Sequence, residues 1–443
     1  MPTRFGTYAV HFHDGLIQSA TEKTLQSLAA ALLESKSKDQ TYRPRRELYN
    51  DERDWLPQLD AVVDLIIHPS HYSLVSNVTS GYDRGKSIGR SWEDFTSDEE
   101  ASSRETIALP FVDDEDRIYH RSDKFQWLPS EFHLATGSDL ASFSSYINNL
   151  NPARNCQHYD AIGMVLGQLV PLFEHVLTDL QSPRHPIIDW ECKDHYRLPK
   201  DASDQVRKHF HELMKLTDSA WVYCDWQNLA LNFPTLPRYQ GHPAPSATWP
   251  CISLRDRQLQ VIVKKTMALL TPSKPDQPAG MWHIEGLEHE RVVAVGVYCL
   301  DVENVSTPSL GLRSAVGNPQ RYKGEDAAIM AAFGMVDQDP RNQYWGDLHL
   351  LPGRCAAFSN VYQHRFSAVS LLDRSRNGHS TLVCFLLMDP TTRITSTLQI
   401  PPQQSDWTKL DNDALVEQQA EERLYLTRNL DLFEDSVRVH SGG

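Results

Sequence analysis

Two short segments contain the residues best suited to chemistry. They are Gly280-Met281-Trp282-His283-Ile284-Glu285-Gly286 and, far downstream, Asn360-Val361-Tyr362-Gln363-His364-Arg365. On a strand, residues i and i+2 point to the same face, so His283 and Glu285 would present an imidazole and a carboxylate side by side. A second imidazole from His364 completes a 2-His-1-carboxylate set, which binds non-haem Fe(II) and leaves positions open for dioxygen. The pattern therefore predicts an iron-dependent oxygenase.

Other readings of these residues stay open at this point. A bare His-x-Glu is not specific in a chain with 19 histidines and 58 acidic residues. His289 and His379 are rival ligands, and Zn²⁺ is an alternative metal because spacing does not identify the ion. The His-Glu-x-x-His and Gly-x-Gly-x-x-Gly patterns are absent, which argues against the commonest zinc hydrolases and against Rossmann oxidoreductases.

Composition limits the class of partner. The chain has 443 residues, of which 40% are hydrophobic, and a formal net charge of -15. A nucleic-acid binder or a basic membrane-surface protein needs positive patches, so we expect neither nucleic acid nor membrane as a partner. The seven cysteines are scattered and include no Cys-x-x-Cys, which predicts neither disulfides nor a structural zinc site. The expected location is cytoplasmic, and the oligomeric state is left open.

Helical patterns dominate the first half. Ser19-Ala20-Thr21-Glu22 is a capping box, and the clearest amphipathic stripe runs from Ile162 to Leu180, with Pro171 as a possible kink. A third helix is predicted over 204–216. We therefore expect a mainly helical N-terminal region over 1–249 and a C-terminal helical tail over 404–443.

Between these regions the sequence predicts short strands separated by turn residues. The fold class is therefore α+β, with a double-stranded β-helix (a jelly roll of the cupin type) over 250–403 as the metal-binding core. The four clearest predicted strands are Leu259–Lys264, Val292–Cys299, Ala356–Phe358 and Leu382–Met388.

Several ordered motifs carry a family resemblance: Trp127-Leu128-Pro129, Ser144 to Pro152, Gln260 to Lys264, Leu270-Thr271-Pro272, Trp282 to Gly286, Asn360 to Arg365, and Ser396-Thr397 with Pro401-Pro402-Gln403. With them the chain resembles, over about 120–430, a mainly fungal family known as a domain of unknown function. That family resembles a divergent branch of the Fe(II)- and 2-oxoglutarate-dependent oxygenases. The resemblance implies Fe(II) on His283, Glu285 and His364, a 2-oxoglutarate cosubstrate, and hydroxylation, desaturation or cyclisation of a small organic or amino-acid-derived metabolite of secondary metabolism.

One departure bears on the cosubstrate. Where the family usually reads Gly-His-Arg-Lys, this chain has Gly378-His379-Ser380-Thr381, and Ser380 lacks the guanidinium that forks onto a carboxylate. Arg374, Arg376 or Arg313 could replace it, or Lys264 could do so.

Two further outcomes are left open. The enzyme could be an iron oxygenase that does not use 2-oxoglutarate, or the chain could be a catalytically inactive cupin-like binding protein. Glu288 and Glu290, just beyond the first ligand pair, are expected to face solvent.

Overall fold

A computed structural model describes residues 121–181, 251–315 and 342–403 without a gap, together with parts of 10–27, 63–82, 104–110, 196–208, 230–231 and 339–340. The predicted helix at 204–216 lies largely outside the described residues. The predicted C-terminal tail, 404–443, lies wholly outside them.

Strands are the commonest regular element among the described residues. Helix α1 spans Cys156–Leu180, a 3₁₀ turn spans Glu288–Glu290, and residues 19–27 are helical. The strands are β1 (His11–Asp14), β2 (Val63–Ile67), β3 (Leu74–Val75), β4 (Ser80–Gly81), β5 (Glu105–Thr106), β6 (Phe125–Gln126), β7 (Ser130–His133), β8 (Ser142–Phe143), β9 (Tyr196–Arg197), β10 (Ala230–Leu231), β11 (Gln258–Leu270), β12 (Asp276–Gln277), β13 (Val292–Glu303), β14 (Ser309–Ala315), β15 (Asn342–His349), β16 (Arg354–Ser359), β17 (Gln363–Phe366), β18 (Val369–Ser370) and β19 (Gly378–Met388).

Two antiparallel sheets carry the architecture of the described residues. The main sheet has eight strands in the order β1-β16-β13-β19-β11-β7-β8, with β2 also paired to β11. A smaller sheet has the order β15-β14-β17. The mixture of strands and helices and the curled antiparallel sheet agree with the predicted α+β class. All four predicted strands are confirmed, because they lie inside β11, β13, β16 and β19.

The main sheet is apolar on both faces, and each face packs on a different layer. Val261 and Val263 point to the face covered by α1, whereas Ile262 points to the face covered by the small sheet. Leu310 and Leu312 of β14 belong to the same buried cluster as Ile262. The core is therefore three layers deep, and the space between the two sheets holds the candidate site.

The predicted amphipathic helix is confirmed as α1, and it runs through Pro171 without ending. Two glycines one turn apart let it approach the segment at residues 139–141. A Cβ on Gly163 would lie 2.2 Å from the Ala141 carbonyl oxygen, and one on Gly167 would lie 1.9 Å from that of Asp139. By length and composition α1 could also span a membrane, but 72% of its most apolar window is buried, as in the core helix of a folded domain.

Strands from the N-terminal region enter the main sheet. β1 pairs with β16, while β2 and β7 pair with β11. The sheet therefore takes strands from both sides of the predicted boundary at residue 250, and the division into three units stays a prediction. The five cysteines in the described ranges are free: Cys156, Cys251, Cys299, Cys355 and Cys384.

A charged residue lies in the apolar layer beneath α1. Lys265 is 1% exposed, and its ammonium donates to the carbonyl of Leu25 in the helical segment 19–27. Burial lowers the pKa of Lys265 to about 7, and the attraction of Asp301 opposes that shift only in part. A buried ammonium costs folding free energy, so this lysine should make stability depend on pH.

We predict that Lys265→Met flattens that dependence. The unfolded chain holds the lysine proton up to a pKa near 10.4, whereas the folded protein releases it near pH 7. Between these values the unfolded state binds more protons, so stability rises with pH. Urea denaturation should show wild-type stability increasing by about 2 kcal/mol from pH 7 to pH 9 relative to the variant. The part-buried Lys274→Met serves as control and should follow the wild type; a wild-type slope in Lys265→Met would contradict the prediction.

Candidate metal centre

His283 and His364 are joined by their backbones. The His283 N–H donates to the His364 carbonyl at 3.1 Å, and the His364 N–H donates to the His283 carbonyl at 2.9 Å. This antiparallel bridge extends the small sheet beyond β17. Residues opposite each other in such a pair point to the same face, and the two imidazole centroids lie 4.4 Å apart. Two histidines far apart in sequence therefore face the same space.

Glu285 completes the cluster from the chain segment of His283. Its Oε1 lies 3.8 Å from Nε2 of His283 and 3.7 Å from Nε2 of His364. One ligand atom from each residue falls within 4.8 Å of the others. The carboxylate is 4% exposed and His364 is 1% exposed, whereas His283 is 25% exposed. The cluster is thus buried on two sides and reaches solvent beside His283.

The protonation states suit metal binding. The Nδ1 of His283 is 2.9 Å from the Met281 carbonyl; a carbonyl only accepts, so Nδ1 carries a proton and Nε2 is the nitrogen that would face a metal. Burial, with a further contribution from the neighbouring His283, lowers the pKa of His364 to about 4, so this ring is neutral at pH 7. Burial alone would raise the pKa of Glu285, but the Lys264 ammonium and the two imidazoles hold it well below its usual value.

Lys264 neutralises the buried carboxylate. Its Nζ lies 2.6 Å from Oε1 and 2.8 Å from Oε2 of Glu285. The alternation of β11 places Lys264 on the same face as Ile262, opposite to Lys265. Of the four basic residues predicted to bind the cosubstrate, Lys264 is therefore the one in contact with the cluster. The sequence did not show that it would pair with Glu285.

The ring of Trp127 lies beside Lys264, and the backbone of Trp127 is bound by Glu290, which was expected to face solvent. The Nζ of Lys264 lies 5.9 Å from the ring centroid of Trp127. The backbone N–H of Trp127 donates to Glu290 Oε1 at 2.5 Å, and the backbone N–H of Leu287 donates to Glu290 Oε2 at 2.8 Å. The prediction that Glu290 faces solvent is wrong, because this residue is 0% exposed. Its carboxylate accepts backbone N–H groups from two separate segments and so joins them.

Arg313 lies on the other face of the small sheet. In the pairing of β14 with β17, Leu312 is opposite His364 and Arg313 is opposite Gln363. Neighbouring residues on a strand point to opposite faces, so Arg313 points away from the cluster. Its Nε donates to Gln363 Oε1 at 2.5 Å, and its guanidinium lies 4.8 Å from the centroid of Trp282. The structure does not bring Arg313 to the candidate ligands.

Arg374 and Arg376 are surface residues in the turn before β19. Their side chains are 66% and 67% exposed and pair with Asp276 and Asp373 respectively. Neither is in contact with the cluster.

The rival histidines also have other partners. The Nε2 of His289 hydrogen-bonds with the Phe125 carbonyl at 3.0 Å, and that of His379 lies 3.4 Å from Asp301. Among the described residues, the metal-ligand group contains neither of them.

The donor set fits a divalent transition metal. Two imidazoles and one ionised carboxylate are the ligands of a facial 2-His-1-carboxylate site. Each imidazole Nε2 lies 3.7 or 3.8 Å from the carboxylate oxygen, against about 3 Å between adjacent ligands of a bound ion with bonds of about 2.1 Å. A small inward movement would therefore suffice to bind an ion.

The sequence as a whole matches one family model over residues 5–411, described as protein of unknown function (DUF4246). The chain belongs to this DUF4246 family. No curated protein matches it. The expectation from the ordered motifs is thus confirmed at the level of the family.

Solved structures give weaker matches. An Fe(II)/α-ketoglutarate-dependent dioxygenase, TqaL, is 7% identical, with 86% of this chain and 96% of TqaL covered, at a TM-score of 0.24. IDO from Bacillus thuringiensis is 9% identical at a TM-score of 0.20, with 30% of this chain covered and about half, 49%, of IDO. The non-heme monooxygenase ThoJ, a nickel complex, is 12% identical at 0.17, covering 40% of this chain and 67% of ThoJ. Scores at this level do not establish a common fold, so the site is judged by its own geometry.

Removing the lysine partner should destabilise the metal-free protein. In Lys264→Met the buried Glu285 carboxylate loses its counter-charge, and breaking a buried pair from one side costs roughly 3 kcal/mol. Urea denaturation at pH 7 measures the loss. The double variant Lys264→Met/Glu285→Gln should recover part of it because no unpaired charge remains. If the single variant loses no more stability than Lys274→Met, the pair has no such role.

Proposed function

We propose that this protein is a non-haem Fe(II)-dependent oxygenase that acts on a small organic or amino-acid-derived metabolite, with dioxygen and 2-oxoglutarate as cosubstrates. We also propose that residues 250–403 form a double-stranded β-helix with the site between its sheets. The observation that carries the proposal is the convergence of His283, Glu285 and His364 on one point, with Glu285 ionised and His364 neutral.

These three residues would hold Fe(II), whose chemistry when bound is the activation of dioxygen for oxidation of an organic substrate. The protein contributes the arrangement. The backbone bridge fixes both imidazoles, and the Met281 carbonyl sets the tautomer of His283. The apolar cluster around Phe358 and Leu386 excludes water from the buried side. A reactive site needs this exclusion to prevent side reactions.

Lys264 is the residue we assign to the cosubstrate. Glu285 holds its ammonium through both carboxylate oxygens. A carboxylate that shares its charge with a divalent ion attracts an ammonium less strongly, so a loaded site would release Lys264 to pair with an anionic cosubstrate. An ammonium on a flexible stem binds a carboxylate as a point charge, without the two-point geometry of arginine. This assignment would explain how the protein binds the cosubstrate although Ser380 stands where the family usually has an arginine.

The experiment that tests the function is an anaerobic titration with Fe(II) and then 2-oxoglutarate, followed by visible absorption. We expect a charge-transfer band in the wild type and none in His364→Ala, which lacks one ligand. Lys264→Met should keep Fe(II) binding and weaken 2-oxoglutarate binding at least tenfold, because one charge-assisted contact is worth about 1.5–3 kcal/mol. Lys274→Met is the matched control and should behave as the wild type.

The other outcomes separate the alternatives. Specific Fe(II) binding without the band, together with oxygen uptake that requires a reducing substrate, would indicate an iron oxygenase that does not use 2-oxoglutarate. Preference for Zn²⁺ without oxygen uptake would indicate a hydrolase. Fe(II) binding that is weak and equal in the wild type and His364→Ala would refute the oxygenase and favour a binding protein.

A further inference from the structure

One side-chain amide holds the backbone of Glu285 on both sides. The Oδ1 of Asn360 accepts the Glu285 N–H at 2.9 Å, and Nδ2 donates to the Glu285 carbonyl at 2.8 Å. Nδ2 donates also to the Val292 carbonyl at 3.1 Å, and the Asn360 backbone N–H donates to the Val293 carbonyl at 3.0 Å. Asn360 therefore supplies to Glu285 the donor and the acceptor that a neighbouring strand would supply.

Glu285 needs such a partner because the strand pairing stops before it. The backbone bridge to His364 is made by His283, two residues earlier, and Glu285 itself lies outside the strands. The next residue, Gly286, turns the chain with φ at +71°, and a Cβ there would lie 2.9 Å from the Val292 side chain. The direction of the Glu285 side chain thus depends on a backbone that lies between a bridge and a turn.

We propose that Asn360 is a positioning residue for this site, which holds the Glu285 carboxylate against the two imidazoles before a metal binds. Asn360 lies in the turn that leads into β17, and β17 carries His364. The same short segment therefore supplies one candidate ligand and fixes another. This inference rests on the proposed metal role of the three ligands and adds a residue that touches neither metal nor substrate.

A preorganised site should bind metal more tightly because little ordering remains to be done on binding. Partners that orient the ligands of a metal typically change its affinity 10- to 100-fold when they are removed. The amide is well suited to this role because it offers a donor and an acceptor in one plane. A carboxylate of the same shape would place an oxygen against the carbonyls of Glu285 and Val292.

The test compares Asn360→Asp with a matched control elsewhere. Asn304 makes a similar clamp in a turn without candidate ligands: its Nδ2 donates to the carbonyls of Asp373, Arg376 and Asn377, and its Oδ1 accepts the Asp373 N–H. Anaerobic titration with Co(II) should show a Kd 10- to 100-fold higher in Asn360→Asp and within about twofold of the wild type in Asn304→Asp. Asn360→Ser, which has a hydroxyl as donor, should lose less Co(II) affinity than Asn360→Asp. It also replaces Asn360→Asp in the test if that variant does not fold.

Hydrogen exchange of the Glu285 amide in the metal-free proteins provides a readout that needs no metal. We expect slow exchange in the wild type and Asn304→Asp, and faster exchange in the Asn360 variants. Wild-type Co(II) affinity in both Asn360 variants would overturn the proposal, and so would equal losses in Asn360→Asp and Asn304→Asp. If the wild-type protein binds no Co(II), the proposed metal function fails, and with it the effect of Asn360 on metal affinity. Unchanged exchange of the Glu285 amide in the Asn360 variants would show separately that Asn360 does not hold the Glu285 backbone.

Discussion

The pair of backbone hydrogen bonds between His283 and His364 is the constraint on which the site depends. It brings two segments with no local relation in sequence into one antiparallel register. Backbone bonds of this type fix position and direction together, since opposite residues in the pair share a face. The backbone pairing is therefore sufficient to place the two imidazoles side by side. Glu285 lies two residues after His283, where the Asn360 side chain takes the place of a neighbouring strand and hydrogen-bonds to the Glu285 backbone.

Buried charge is the second determinant of the structure. β11 carries two consecutive lysines that point to opposite faces of the main sheet. Lys264 meets a carboxylate, so the charge between the two sheets is balanced. Lys265 meets a backbone carbonyl among apolar side chains, and its pKa falls to about 7 because of that burial. The same residue type thus stabilises a polar site on one face and costs folding energy on the other.

The layers around the main sheet explain why two of the three candidate ligands are buried. α1 packs closely on the segment at residues 139–141 because Gly163 and Gly167 lack side chains. On the other face, the small sheet covers the main sheet through apolar residues such as Leu312 and Phe358. Glu290 fixes Trp127 beside Lys264 by accepting its backbone N–H. These contacts leave His283 as the most exposed of the three candidate ligands.

Local elements and candidate ligands could be predicted from the amino-acid sequence alone. The 3.6-residue stripe of α1 and the apolar runs of β11, β13, β16 and β19 follow from side-chain periodicity, which is a local property. His-x-Glu likewise keeps its two side chains close together by sequence separation alone, although Glu285 lies outside the strands. Contacts between distant parts of the chain could not be predicted in this way, because strand pairing and burial depend on residues that are far apart in sequence. The folded chain was needed to show that Lys264 faces the carboxylate while Arg313 points away, that Glu290 is buried, and that Asn360 hydrogen-bonds to the Glu285 backbone.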